Sequence, residues 1–386
     1  MRTWGVDAAT WGIRALLEDA GLRGPDGAPP SEALALVLAG GVGFGSVAAP
    51  PGSPVRWFVG GRHAWHADLA YITEACASIG FEIAQFESED ASVSTLILDQ
   101  WLSVDAPCVL AWVDAAMLPW HALPSSWRGL SPRVVILRGK TPDGVLVEDV
   151  RAETHVLSTA DLIAARAVLP RHRGRLIRLT DETQFVDMGG AIKRGVEACV
   201  MGLRKGHRDL SGHEALRAWA GYLVRADAFQ ERFSTPVDVM DALLDLHRRI
   251  EGQGALLRAL FADGIGEASA LLRDPVLREQ RIVWAPIARD WSALAGRCLP
   301  SEPQLEALQH LGVQLDRAVA AGMPAEQLAD KRARYEELHG ELALSWMPPA
   351  HELDTLLTSL GHSLRELVHR EEEAIDELAE WAGMDP

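Results

Sequence analysis

The stretch VLAWVDAAMLPW, residues 109–120, decides how the first half of the chain is expected to fold. In it an apolar run stops at a single carboxylate, Asp114, and then at Leu118-Pro119-Trp120. The run predicts a buried strand that ends here, because proline has no N–H for a strand ladder. A carboxylate at the end of such a strand either caps a turn or takes part in chemistry, since an unpaired buried charge is costly. Both interpretations of Asp114 are open at this point.

Elements on either side of this stretch alternate between helix and strand. Residues 7–20 predict a helix that is capped by Asp7 or Thr10, and residues 30–38 predict a second helix, which a glycine-rich turn at 40–45 follows. Short apolar runs between Gly- and Pro-rich turns are typical of strands. They lie at 55–59, 94–98, 108–113, 134–137 and 145–147.

The pattern changes near residue 180, where apolar residues begin to recur at helical spacing. Predicted helices lie at 190–205, 213–225, 237–250, 254–272, 276–297, 303–321, 325–345 and 351–380. The fold class is therefore expected to be α+β, with an α+β domain over 1–180, an all-helical domain over 181–386 and an extensive interface between them. The apolar stripe of the last helix predicts packing on its own domain, with pairing in a homodimer as the alternative.

Composition narrows the class of protein. The 386 residues carry a net charge of -17, which disfavours nucleic acid as a ligand. No apolar run reaches the length that spans a membrane, and residues 1–10 lack the features of a signal peptide, so a cytoplasmic protein is expected. The four cysteines form no CxxC pair, and the histidines at 63 and 66 have no evident third ligand. Neither a metal nor another cofactor is expected.

Taken in order, five N-terminal segments resemble the butirosin-biosynthesis protein H (BtrH-like) family. They are IRALLEDAGL, SEALALVLAGGVGF, VLAWVDAAMLPW, RVVIL and GVLVEDV. Three later segments, in 202–223, 250–272 and 284–296, look like the helical module that commonly follows, so the resemblance covers nearly the whole chain. It implies a papain-like N-terminal domain that transfers acyl or peptidyl groups from a carrier-protein thioester to an amine.

The chain departs from that family at the catalytic positions. The family's His-Cys pair falls on Asp7-Ala8, and its strand-start His falls near Ser131 or Pro132, so both nucleophile and base are missing. Asp149 matches the remaining position of the triad, and Asp114 and the Leu-Pro-Trp corner also match. No cysteine precedes residue 76, which argues against a conventional cysteine acyltransferase.

The resemblance and the residue types together give a set of candidate site residues. His121 follows the corner and is expected to share a cleft with Asp114 as an acid/base partner. A nucleophilic Thr10 is disfavoured, because no histidine lies in the expected strand. The predicted catalytic residues are Asp7, Asp114, His121 and Asp149, and the predicted substrate-binding residues are Trp11, Trp120, Thr10 and Trp65.

Two functions follow from these residues. The first is an enzyme of natural-product biosynthesis that cyclises, isomerises or transfers an acyl group on a polyketide- or peptide-type intermediate, free or bound to an acyl carrier protein, by acid/base catalysis without a covalent thioester. The second is a non-catalytic protein that binds an acyl carrier protein, a metabolite or a partner enzyme. Retained carboxylates at 114 and 149 favour the enzyme.

Overall fold

The computed structural model describes residues 6–24, 26–49, 56–102, 107–121, 123, 125–150, 154–180, 187–206, 211–320 and 323–385. Its N-terminal half alternates helices and strands: α1 (Ala8–Asp19), α2 (Glu32–Leu38), β1 (Val42–Ala48), β2 (Trp57–Arg62), α3 (Asp68–Ile79), β3 (Ile83–Phe86), α4 (Ala91–Trp101), β4 (Val109–Asp114), β5 (Pro132–Thr141), β6 (Gly144–Glu148), β7 (Thr154–Leu157), α5 (Thr159–Ala167) and β8 (Leu176–Leu179).

The described residues from 187 onward form helices joined by short turns. They are α6 (Met188–Lys205), α7 (Gly212–Leu223), α8 (Ala226–Arg232), α9 (Pro236–Arg249), a π-helical segment (Ile250–Leu256), α10 (Leu257–Leu272), α11 (Pro275–Gly296), α12 (Pro303–Ala320), α13 (Ala325–Ser345) and α14 (Ala350–Ala382). The predicted helices of this half are confirmed to within a few residues, except that the one at 254–272 begins inside the π-helical segment. None of these described helices is both long and apolar enough to cross a bilayer.

The strands in the described ranges form two antiparallel sheets, so the protein is α+β. One sheet pairs β1 with β2, and the other has the order β3-β8-β4-β5-β6-β7. Strands predicted at 108–113, 134–137 and 145–147 are confirmed as β4, β5 and β6, and residues 57–59 of the strand predicted at 55–59 lie in β2. The strand predicted at 94–98 is wrong, because Asp90 caps a helix there and Ser94, Leu98 and Trp101 bury one face of α4 at helical spacing. The glycine-rich turn at 40–45 runs directly into β1.

Helix α1 crosses one face of the larger sheet alongside β5. A Cβ on Gly12 would lie 3.1 Å from the side chain of Leu110, with Val134 next to it. At the other end of the helix, Asp19 accepts from the N–H of Cys108 and pairs with Arg138. Helix α1 therefore runs in the direction of β5, and its N-terminus lies at the sheet edge where β5 begins and β4 ends.

The two halves of the chain share one core. All seven residues of α2 are buried. Gly264 of α10 lies against the carbonyl of Ala33, and Gly195 of α6 lies against the carbonyl of Val37, so closely that a Cβ would come within 2.1 Å of each oxygen. The expected extensive interface is therefore present, and helices from the C-terminal half enclose a helix of the N-terminal half. The apolar stripe of α14 also packs within the chain.

A buried ion pair joins α10 to α14. The guanidinium of Arg258 donates to both carboxylate oxygens of Glu371, at 2.8 and 3.1 Å, and both side chains have no exposed surface. The indole N–H of Trp291 also donates to Glu371. Burial alone would raise the pKa of Glu371, but Arg258 and these hydrogen bonds outweigh it and hold that pKa below its usual range.

His213 in α7 makes the stability of this region depend on pH. Its ring nitrogens lie 3.8 Å from Glu371 and Glu372. Burial, with repulsion from Arg258 and Arg217, lowers the pKa of His213 from 6.5 to about 4, although Glu371 opposes the change. The unfolded chain therefore binds a proton at a higher pH than the folded protein does, and acid destabilises the fold.

We expect His213 to lower the free energy of unfolding as the pH falls from 6.5 towards 4, by up to about 3 kcal/mol. Urea unfolding measured at several pH values checks this, because His213→Gln should flatten the curve in that range. The exposed His351→Gln serves as the control and should leave the curve unchanged. Parallel curves for wild type and His213→Gln would contradict the expectation.

Candidate functional site

Asp114 lies at the end of β4 and is fully buried. Its carboxylate accepts from the N–H of Ala116 at 3.0 Å and from the N–H of Gly129. The first bond caps the 3₁₀ turn Ala115–Met117, and the second ties in the loop that leads to β5. These bonds account for a carboxylate at the end of a buried strand, so the capping interpretation of Asp114 has direct structural support.

Asp149 follows β6 and is the centre of the candidate site. Its Oδ2 lies 2.6 Å from Nε2 of His121, and its Oδ1 accepts from Nε of Arg133 at 2.7 Å and from the N–H of Val150 at 2.6 Å. The indole N–H of Trp120 donates to Oδ2 at 3.3 Å. The structure therefore pairs His121 with Asp149, whereas the sequence predicted Asp114 as its partner.

The charge of Asp149 is stabilised although its side chain is wholly buried. Burial on its own would raise the pKa of this carboxyl. The guanidinium of Arg133 and the hydrogen bonds from His121 and Val150 outweigh burial and hold the pKa well below its usual range. Asp149 is therefore a carboxylate at any pH near neutrality, and a carboxylate in this position orients an imidazole and stabilises its protonated form.

Two members of this group were not predicted from the sequence. Arg133 is the second residue of β5, directly beyond the predicted base position at Ser131 or Pro132. Ile136 of β5 pairs with Glu148 of β6, and just beyond this pair Arg133 contacts Asp149, which directly follows Glu148. His155 of β7 stacks on Trp120, with ring centroids 4.1 Å apart and planes at 6°. The dyad cluster is hereafter the set Trp120, His121, Arg133, Asp149 and His155.

The predicted residues at the start of α1 form a second group. The hydroxyl of Thr10 donates to Asp7 at 2.9 Å and lies 3.0 Å from the hydroxyl of Tyr71. Asp7 caps α1 through the N–H of Thr10, as predicted, and lies 3.2 Å from Nε of Arg62. The partners of the Thr10 hydroxyl are thus a carboxylate and a phenol, neither of which is the imidazole that a hydroxyl nucleophile needs.

The two groups lie at one edge of the sheet but on different faces. Trp11 of α1 donates its indole N–H to Glu148 at 3.0 Å. Glu148 directly precedes Asp149, and neighbouring residues of a strand point to opposite faces. The side chains that pack with α1 include Trp112 and Val134, whereas Val113, Val135 and Trp120 pack in the core on the other side. The structure therefore brings Trp120, His121 and Asp149 together and separates them from Asp7, Thr10 and Trp11.

Trp65 lies in neither group and instead borders a separate cavity of about 340 Å³. Its indole packs on Gly45 and Gly60, which face each other across β1 and β2. Arg62 lines the same cavity and connects it to Asp7. His63 and His66 lie in the turn before α3 rather than on a helix, and in the described part of the chain no three metal-ligating side chains come together.

The cysteines are buried, and none lies in the dyad cluster. Burial raises the pKa of Cys76 and of Cys199 to about 12 each. Such thiols remain protonated near neutral pH and are poor nucleophiles. Cys76 in α3 and Cys108, which directly precedes β4, both pack in the apolar core.

Comparison with known proteins gives one result. A family model described as a domain of unknown function (DUF4872) matches residues 160–321. The match begins in α5, crosses the domain boundary expected at residue 180 and ends just after α12. No curated protein matches the chain. The chain is thus similar, from α5 through α12, to a family whose activity is not established.

Proposed function

We propose that the protein is an enzyme of natural-product biosynthesis that moves protons through His121 and Asp149 and forms no covalent intermediate with its substrate. The observation that carries this proposal is the 2.6 Å contact between Nε2 of His121 and a buried, ionised Asp149. A histidine that is held by a carboxylate is the common arrangement for general acid/base catalysis. The resemblance to carrier-dependent acyl and peptidyl transferases supplies the substrate class, a polyketide- or peptide-type intermediate.

The proposed chemistry assigns one role to each polar member of the dyad cluster. The imidazole of His121 removes a proton from the substrate, either from the carbon next to a thioester carbonyl or from an attacking amine or hydroxyl, and returns it to the product or the leaving thiol. The carboxylate of Asp149 stabilises the imidazolium that forms in between. Arg133, whose side chain is one-quarter exposed, stabilises the negative charge that develops on the carbonyl oxygen. Cyclisation, isomerisation and acyl transfer all use these steps.

The direction of α1 supports a papain-related N-terminal half followed by a helical domain. In the BtrH-like pattern the nucleophile begins this helix and the acid closes a nearby strand. Here the start of α1 lies at the sheet edge where β5 begins, and Asp149 closes β6 at the same edge. We propose that this half descends from such a fold and that its chemistry moved from the helix start to the dyad cluster.

A non-catalytic binding protein is the second candidate. Asp7 occupies the position of the missing His-Cys pair, and its carboxylate caps α1 and pairs with Arg62. Asp7 therefore stabilises the start of the helix at the position where the BtrH-like pattern has its reactive cysteine. This structural role favours a protein that keeps the shape of the family's site and binds an acyl carrier protein or a metabolite.

The test uses N-acetylcysteamine thioesters of a β-ketoacyl chain and of a dipeptide, each with and without ethylamine as the acceptor. Consumption is followed by mass spectrometry, and reactions in D2O report proton exchange at the carbon next to the carbonyl. We expect wild type to convert or exchange at least one thioester, and His121→Gln to lower kcat/KM by about 10²–10⁴-fold.

The matched control is His369→Gln, the same substitution at an exposed position on α14, which should behave as wild type. Equal rates for wild type and His121→Gln would contradict the proposed role of the histidine. If wild type neither converts nor exchanges any thioester but binds the same acyl groups on an acyl carrier protein, the protein has the second function, non-catalytic binding.

A further inference from the structure

The charge of Arg166 in α5 has no acidic partner in the described part of the chain. The side chain is 2% exposed. One terminal nitrogen donates to the hydroxyl of Ser94 and to the carbonyl of Gly174, both at 2.8 Å. Nε is buried and makes no hydrogen bond. A buried cation without a carboxylate is costly, so the position of Arg166 calls for an anion that compensates its charge.

A cavity of about 180 Å³ lies beside this guanidinium. Its lining combines the first turn of α4, the C-terminal part of α5 and the loop before β8. Besides Gly174, the polar and charged residues in that lining are Ser88, Glu89, Ser94, Arg166 and Arg173. Arg173 is exposed and adds a second guanidinium, and Glu89 is the one opposing charge in the set. The cavity therefore combines a desolvated cation with hydroxyl groups and a second, exposed guanidinium, whose Nε donates to the carbonyl of Leu169 at 3.0 Å.

The loop before β8 concentrates positive charge in a chain that is strongly acidic overall. Its sequence, PRHRGR at 170–175, places three arginines and a histidine in six residues. His172 and Gly174 both have left-handed backbone conformations, with φ of 67° and 61°. For a residue other than glycine such a conformation costs free energy and is retained where the local structure requires it. Arg175 forms an ion pair with Glu87 at 2.7 Å, whereas Arg173 lines the cavity.

We propose that this cavity binds the phosphate group of a ligand, with Arg166 as the buried anchor and Arg173 closing over it. Guanidinium groups bind phosphate oxygens through paired hydrogen bonds, and a serine hydroxyl beside them adds another donor. Burial lowers the pKa of Arg166 to about 10, so the side chain is still a cation at neutral pH. This site is independent of the dyad cluster and of the reaction proposed for it.

The experiment measures binding by isothermal titration calorimetry at pH 7.5 and constant ionic strength, with chloride as the background anion. Three probes are titrated separately: inorganic phosphate, phenyl phosphate as a monoester and dimethyl phosphate as a diester. We expect at least one probe to bind wild type, and Arg173→Met to weaken that binding by at least tenfold. The exposed Arg171→Met lies in the same loop outside the cavity lining and should bind as wild type does.

Arg166→Met is the second variant and should abolish binding, since it removes the buried anchor at similar volume. Arg173→Met keeps the proposal testable even if Arg166→Met does not fold, because residue 173 is exposed. Binding of phenyl phosphate alone identifies a phosphomonoester as the ligand, and binding of dimethyl phosphate identifies a diester. The proposal is overturned if no probe binds wild type, or if Arg173→Met and Arg171→Met bind equally well.

Discussion

Glu371→Gln is expected to destabilise the protein by about 3–5 kcal/mol, measured as the change in the free energy of unfolding in urea at pH 7. The substitution keeps the size of the side chain and removes its charge. Arg258 would then be a wholly buried cation without a counter-ion, and this is the costly outcome of breaking a buried ion pair. Glu371 also accepts from Trp291, so the substitution disturbs contacts among α10, α11 and α14 together.

The matched control is Glu373→Gln, the same substitution two residues further along α14. Glu373 is exposed and its partner His369 lies 3.4 Å away on the same helix. Exposed pairs of this kind contribute less than about 1 kcal/mol, so this variant should unfold close to wild type. Combining Glu371→Gln with Arg258→Met removes both charges and should recover part of the loss. A value for Glu371→Gln similar to that of Glu373→Gln would show that the buried pair is not what stabilises this core.

Asp149→Asn is expected to lower kcat on a thioester substrate by about 10²–10⁴-fold, with a smaller effect on KM. The amide keeps the shape of the carboxylate but cannot stabilise an imidazolium on His121. Turnover of wild type and variant by the same mass-spectrometric assay checks this.

The same substitution makes a separate prediction about stability. Asp149 has a lower pKa in the folded protein than in the unfolded chain, so its contribution is complete above about pH 4 and is lost as the pH falls through the folded value. The difference in unfolding free energy between wild type and Asp149→Asn should therefore shrink below about pH 4.

The kinetic prediction has its own contradicting outcome. If Asp149→Asn folds and its kcat is close to that of wild type, Asp149 has no part in the mechanism.

The sequence predicts the helices of this protein better than its strands, for a physical reason. Long amphipathic runs such as 351–380 carry many periods of one pattern, and α14 has nearly those bounds. Strands β3, β7 and β8 have only four residues each, too few for a period to be recognised. Residues 94–98 are apolar enough for a strand, but the capping carboxylate of Asp90 starts a helix instead. The hydrogen bonds of Asp90 at the helix start therefore outweigh the strand propensity of these residues.

The sequence also predicted three of the five residues of the dyad cluster, but it did not show which of them form pairs. His121, Trp120 and Asp149 were all predicted site residues. Their pairing depends on the register of β5 with β6, which carries Arg133 to Asp149. Arg133 itself looks like an ordinary charged residue at the start of a strand, so no local pattern could identify it. Asp114, in contrast, was predicted as a catalytic residue although it caps a turn. In sequence, a capping carboxylate at the end of a buried strand cannot be told from a catalytic one.

The burial of α2 limits which parts of this chain can be exchanged by recombination during evolution. Two glycines outside the N-terminal half, Gly195 and Gly264, allow helices to touch the backbone of α2. A gene rearrangement that exchanged the helical half would have to bring glycine to both positions, or α2 would lose its close neighbours. The two halves are therefore expected to be inherited together, and recombination between relatives should succeed at the loops outside this contact and fail within it.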